Sequence, residues 1–197
     1  MHYLCLLGLP SGYLQLFFTN SLFFKKENIT GRTTDRNKLG ASKKILVRKT
    51  GSQLIAAYED SGIFPEQSLY FLFDIKTDND LRFLLGILNS KLLNFFYQAK
   101  SLTNKESIAQ IKKNDLDRLP IPLIDLSNPI DKARHNSLIS KVEQMLSLHQ
   151  QLITARTNQD KTFIQQQIEA TDQQINKLVF ELYELTEQEI AIVESAV

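Results

Sequence analysis

A chain of 197 residues that is 43% hydrophobic can bury a core and is not a disordered tail. Its net charge of +1 hides an asymmetry: residues 1–118 carry 17 Lys/Arg against 11 Asp/Glu, and residues 119–197 carry 6 against 11. A single cysteine, Cys5, excludes an internal disulfide and fits a reducing, cytoplasmic compartment.

Residues 1–24 are apolar, but they lack a basic start, their charges (Lys25, Lys26) follow them, and Gly8, Pro10 and Gly12 interrupt them. These features argue against a secretory signal or a membrane span. Buried strands are expected there, and a Met1 inside so aromatic a segment reads as the start of a truncated domain. Residues 25–50 hold nine Lys/Arg against Glu27 and Asp35. Within that block 27–44 is rich in turn formers and reads as a loop, and 44–49 reads as a strand. Residues 53–58 predict a second strand, paired with the first in a hairpin around Gly51. Residues 68–75 predict a third strand and 77–80 a helix start.

Residues 80–98 are apolar on most sides (Leu81, Leu84, Leu85, Leu88, Leu92, Phe95, Phe96), as a buried helix is. Asn89-Ser90 predicts a break within it, because Asn tolerates a left-handed helix end and Ser caps the next helix. Residues 103–113 predict an edge strand. The Leu-Pro-Ile-Pro-Leu run at 119–123 predicts an extended connector, since proline donates nothing to a ladder. Two stripes with heptad spacing follow: Leu138, Val142, Met145, His149, Leu152, and then Ile164, Ile168, Thr171, Ile175, Leu178, Leu182. They predict helices over 131–155 and 158–185, packed on each other around a turn at 156–160, with one long helix as the alternative. Leu146, Ile153 and Phe163 fall off the seam and are expected to face outward. Thr186 with Glu189 forms a capping box, so a short last helix starts at Glu187.

No catalytic constellation is evident. The seven glycines form no phosphate loop. His2, His135 and His149 have no partners at metal-ligand spacing, and His149 reads as a seam residue. Glu66, Asp74 and Lys76 resemble the acidic pair and lysine of a metal-dependent nuclease, a pattern that arises easily by chance. The basic residues carry more. Arg32, Arg36 and Lys38 from the loop, with Lys43, Lys44, Arg48 and Lys49 around the strand, suit phosphate anchoring. Lys100, Lys105, Lys112 and Lys113 make a second set, with Tyr97 nearby. Gln53 or Asn104 could read base edges.

Five strings occur in order: Lys44-Ile-Leu-Val-Arg-Lys-Thr-Gly51, Ser68-Leu-Tyr70, Leu84-Leu-Gly-Ile-Leu-Asn-Ser-Lys91, Ala109-Gln-Ile-Lys-Lys113 ahead of Leu119-Pro-Ile-Pro122, and Leu182-Tyr-Glu-Leu-Thr-Glu-Gln-Glu-Ile190. Over about residues 43–194 the chain resembles the TaqI-like C-terminal specificity domain of adenine-specific DNA methyltransferases and type IIG restriction enzymes. The resemblance implies an α+β fold: a small mixed-sheet target-recognition module with buried helices over residues 1–126, then an antiparallel helical pair and a short helix over 127–197.

It also implies sequence-specific binding of double-stranded DNA in the cytoplasm, next to a methyltransferase domain or subunit that flips the adenine. S-adenosylmethionine and Mg²⁺ are implied only for that catalytic part. This chain has no Asn-Pro-Pro-Tyr-type motif, no cofactor and no catalysis of its own are expected, and no membrane is involved. A homodimer through the helical pair is a further expected partner. The rival readings are a half-length type I specificity subunit that dimerises through its helices, and a helical protein–protein interaction module without DNA binding.

Overall fold

The computed structural model describes residues 4–8, 14–18, 35–73, 81–101 and 110–196, with side chains over 35–73, 81–99 and 110–196. The apolar start supplies two strands, β1 (Leu4–Gly8) and β2 (Leu14–Phe18), paired antiparallel with Leu4 opposite Phe18. A four-residue helix, α1 (Arg36–Leu39), lies inside the stretch read as a plain loop. Its nucleus is local: the Asp35 carboxylate accepts from the Asn37 and Lys38 amides. Next comes β3 (Lys44–Arg48), the centre of a three-stranded sheet between β4 (Ala56–Glu59) and β5 (Leu69–Leu72). The β3–β4 hairpin runs as expected, with Val47 opposite Ala56 and Lys44 opposite Glu59. Every pairing among the described strands is antiparallel, where a mixed sheet was expected. The expected helix start at 77–80 lies outside the described residues.

One face of the sheet, with Ile45, Val47 and Ala56, joins the core with Phe83, Leu85, Ile87 and Leu88 of α2 (Leu81–Asn89). Helix α3 (Lys91–Ser101) continues beyond the expected break. Ser90 acts there as expected, its hydroxyl accepting from the Leu93 amide. Asn89 does not adopt a left-handed backbone; among the described residues Glu184 is the non-glycine with a positive φ. Instead the Asn89 side chain meets β4. It accepts from the Ala56 amide at 2.8 Å and donates to the Ala56 carbonyl at 3.0 Å. Asn94 accepts from the Leu54 amide at 2.8 Å.

After α3 the expected edge strand at 103–113 is reduced to one antiparallel bridge, Gln110 with Thr50; residues 102–109 lie outside the described residues. Lys113 opens a short helix, α4 (Lys113–Leu116), in place of closing a strand. The proline-containing connector forms no strand, but it is not simply extended: the Ile121 amide donates to the Leu119 carbonyl at 2.9 Å, a tight turn about Pro120. Helices α5 (Pro129–Thr154) and α6 (Asn158–Leu182) then form the antiparallel pair, and the single-long-helix alternative falls because α5 ends at Thr154. Asn128 and Thr157 cap their N-termini, and Pro129 takes the first turn, where its missing N–H loses nothing. Helix α7 (Glu187–Ala196) starts on the Thr186–Glu189 box, with Glu189 accepting from the Thr186 amide and hydroxyl at 2.8 Å each.

Most of the seam is buried as its spacing requires: Leu138, Val142, Met145, Ile168 and Ile175 are each at most 1% exposed, but Leu152, Leu178 and Leu182 are half-buried, and toward the end of α6 the buried position is Val179, outside the expected stripe. Each fully buried side chain contributes about 1.5–3 kcal/mol of burial. Leu146 is a correction, since it is half-buried against this core, whereas Ile153 and Phe163 do face outward. The core also crosses the expected division at 126/127. A Cβ on Gly86 would lie 2.8 Å from Val142 and 3.1 Å from Leu138, so α2 and α5 touch backbone to side chain. No helix among the described residues is long and apolar enough to cross a membrane.

Removing the Asn89 amide should be costly, because it would leave the Ala56 amide and carbonyl buried and unserved at about 1–3 kcal/mol each. Asn89→Leu should therefore lose at least about 2 kcal/mol in urea unfolding. A loss under about 1 kcal/mol would mean that other groups serve Ala56.

Two titratable groups on the helical pair, buried His149 and half-buried Asp172, oppose each other. Burial lowers the His149 pKa to about 4, from an ordinary 6.5. Burial raises Asp172 to about 6 from 3.8, against the pull of Lys91 and the hydrogen bond from Asn176. As pH falls from about 6.5, the unfolded His149 takes a proton that the folded one refuses, so stability is lost. From about 6 downward the folded Asp172 takes a proton that the unfolded one does not, so stability is gained. The two nearly cancel between pH 6 and 4. Asp172→Asn should expose the histidine slope, a loss of up to about 1.4 kcal/mol per pH unit over that window. A flat profile for the variant in pH-dependent urea melts would rule this out.

Candidate nucleic-acid interface

Strand β3 carries basic residues at both ends. Its C-terminal end meets the chain that follows α3. The Thr50–Gln110 bridge is extended by the Ile111 amide, which donates to the Lys49 carbonyl at 2.7 Å, and by the Tyr70 hydroxyl, which donates to the Ile111 carbonyl at 3.1 Å. The two basic sets of the sequence, Arg48 and Lys49 in one and Lys112 and Lys113 in the other, are thus brought to one ledge. Gln53, Gln110, Lys112 and Lys113 are exposed on it.

Arg48 and Lys49 are only partly available. The Arg48 guanidinium lies against Gly51, where a Cβ would come within 2.5 Å of it. Lys49 sits 4.7 Å over the Tyr70 ring and donates to the Gln67 carbonyl. Burial lowers its pKa from the ordinary lysine value. Lys113 pairs with Asp117 just past the end of its helix, an exposed contact of little strength that a phosphate can replace.

The other end of β3 differs from the sequence reading at Lys44. Its ammonium has no exposed surface, pairs with Glu59 at 3.0 Å, and donates to the Leu39 carbonyl at 2.9 Å and the Ala41 carbonyl at 3.1 Å. Lys44 is therefore an interior residue and not a phosphate contact. Burial works to raise the Glu59 pKa, but hydrogen bonds from Ser61 and Lys44 outweigh it and hold the carboxyl below its ordinary value. Arg36 and Lys43 are exposed beside this pair. Arg32 and Lys105 lie outside the described residues, as does the side chain of Lys100.

The nuclease trio gains nothing. Glu66 is exposed and accepts weakly from the Ser68 hydroxyl at 3.5 Å, and Asp74 and Lys76 lie outside the described residues. Among the described residues no group of His, Cys, Asp and Glu could hold a metal ion. Sequence reasoning missed Gln110 as a surface residue of the ledge. The available signal was its position just ahead of Lys112 and Lys113.

Residues 13–121 match the family model of the TaqI-like C-terminal specificity domain. The matched interval holds the three-stranded sheet, α1 to α4 and both basic ends of β3. No curated protein matches the chain.

The ledge depends on the turn at Gly51, whose φ of 124° disfavours any side chain. Gly51→Ala should strain the backbone and displace the Arg48 guanidinium, destabilising the protein by about 1–3 kcal/mol. Thermal unfolding measures it; a melting temperature equal to wild type would show that the turn relaxes freely.

Proposed function

The chain belongs to the family of TaqI-like C-terminal specificity domains, and from that membership we propose that it is the DNA-reading part of a restriction–modification system, working beside a methyltransferase domain or subunit that carries the chemistry. One observation carries the reading. Exposed basic and amide side chains from the β3–β4 turn and from the 110–113 segment share one ledge, inside the matched interval.

The chemistry of the ledge suits both tasks of such a domain. Lys112, Lys113 and the part-exposed Arg48 and Lys49 would take phosphates and fix the register on the duplex. The amides of Gln53 and Gln110 have the donor–acceptor pair that matches an adenine edge in the major groove. The rival reading, a half-length subunit that pairs through its helices, draws less support. The seam of α5 and α6 is already filled by their mutual packing and by α2.

S-adenosylmethionine and Mg²⁺ belong, in this reading, to the catalytic partner. No residue of this chain is assigned to either. The isolated chain should therefore give neither methylated nor cleaved product from mixed duplex DNA with labelled S-adenosylmethionine and Mg²⁺. Turnover that follows the protein through purification would overturn that part.

Duplex binding, measured by fluorescence anisotropy, should weaken with salt at a slope of about −0.9 in log K per phosphate contact. Lys112→Ala with Lys113→Ala should flatten the slope by about one to two units. An unchanged slope would move the interface off the ledge.

A further inference from the structure

Helix α1 and the turn after it lie against the Lys44 end of β3. Leu39 is 6% exposed there, and a Cβ on Gly40 would come within 2.6 Å of the Phe64 ring. A helix of four residues does not hold itself in place. What fastens it is Lys44, whose buried ammonium links the Leu39 and Ala41 carbonyls to Glu59 on β4. Glu59 is fixed in turn by the Ser61 amide and hydroxyl, each at 2.6 Å. Arg36 and Lys38 stand on the helix so held, and Lys43 is the residue before Lys44.

We infer that Lys44 and Glu59 are positioning residues for DNA recognition: the pair does not touch DNA but holds α1, with Arg36 and Lys38 on it, in place against the phosphate backbone. The inference rests on the DNA-reading function proposed above. A buried ion pair is a weak source of stability, because apolar side chains of similar volume do as well or better. An apolar side chain cannot, however, bind the Leu39 and Ala41 carbonyls. The pair's distinctive effect is therefore to fix the α1 turn in one place.

The full chain tests this, with a fluorescent mixed-sequence duplex titrated over a range of salt. Lys44→Met with Glu59→Leu removes the pair without stranding a buried charge; the Leu39 and Ala41 carbonyls lose their donor, so the melting temperature should fall somewhat, and the titration is run well below the variant's own unfolding transition. This variant should flatten the log K against log salt slope by about one to two units, as should Arg36→Ala with Lys38→Ala. Combining the four changes should flatten it no further than the second pair alone. Amide exchange should rise at residues 39–41 in the Lys44→Met, Glu59→Leu protein.

If that protein fails to fold, Lys44→Met with Glu59→Gln, closer in shape, takes its place. A folded variant with the wild-type slope would overturn the positioning role and leave the DNA-reading function standing. A wild-type slope in the Arg36→Ala, Lys38→Ala protein would overturn it too. Absence of duplex binding by the wild-type chain at low salt would instead remove the function on which both rest.

Discussion

The arrangement of this protein depends on a polar clasp at the break between α2 and α3. In the sheet, the Ile55 carbonyl turns toward β3 and accepts from the Arg48 amide. Leu54 and Ala56, on either side of it, turn their backbone groups the other way, toward the free edge of β4. An open edge of this kind pairs readily with another chain. Here Asn94 and Asn89 close it, each with both ends of its amide. A third asparagine reaches the same junction from α6: Asn176 accepts from the Lys91 amide at 2.8 Å. Asn89, Asn94 and Asn176 are the buried asparagines of the described residues, and all of them serve this one place. A partly satisfied buried network is worse than an apolar one, so the three act together to set sheet, broken helix and hairpin in a single relation.

Much of this was legible in the chain. The helical pair, its turn and the last helix follow from spacing, capping residues and Pro129, all local signals. The break at Asn89-Ser90 was legible as a break. Its chemistry was not, because the partner of Asn89 lies 33 residues away in a strand. Helix α1 was missed because polar turn formers and a short capped helix use the same residues. Leu146 was misplaced because heptad spacing describes two helices, whereas α2 adds a third wall to the groove.

Lys44 is the more instructive case. Charge is a property of one residue, but burial is a property of what covers it. In a basic run next to a hairpin, Lys44 and Lys43 look alike. The distinguishing signal was present in the turn: counting outward from Gly51 and Ser52 sets Lys44 directly across from Glu59, the sole acid on that strand. Opposite charges facing each other across a hairpin are a paired unit, and a paired lysine is a poor candidate for phosphate. The basic residues left on the surface fall at the ends of β3, where loops rather than the sheet decide what they meet.

The bare backbone of Gly86 has a consequence for modular engineering. Leu138 and Val142 press into α2 at the spot where any other residue would hold them off. The recognition sheet and the helical hairpin therefore share a wall instead of a linker. A chimera cut in the turn at 125–128 would transplant a sheet whose supporting helix loses the cover of Leu138 and Val142 over Gly86 and of His135 over Phe83, leaving an apolar patch that invites aggregation. Recognition modules of this build exchange cleanly only with their hairpins attached, or onto hairpins that offer the same small-to-large fit at the Gly86 position.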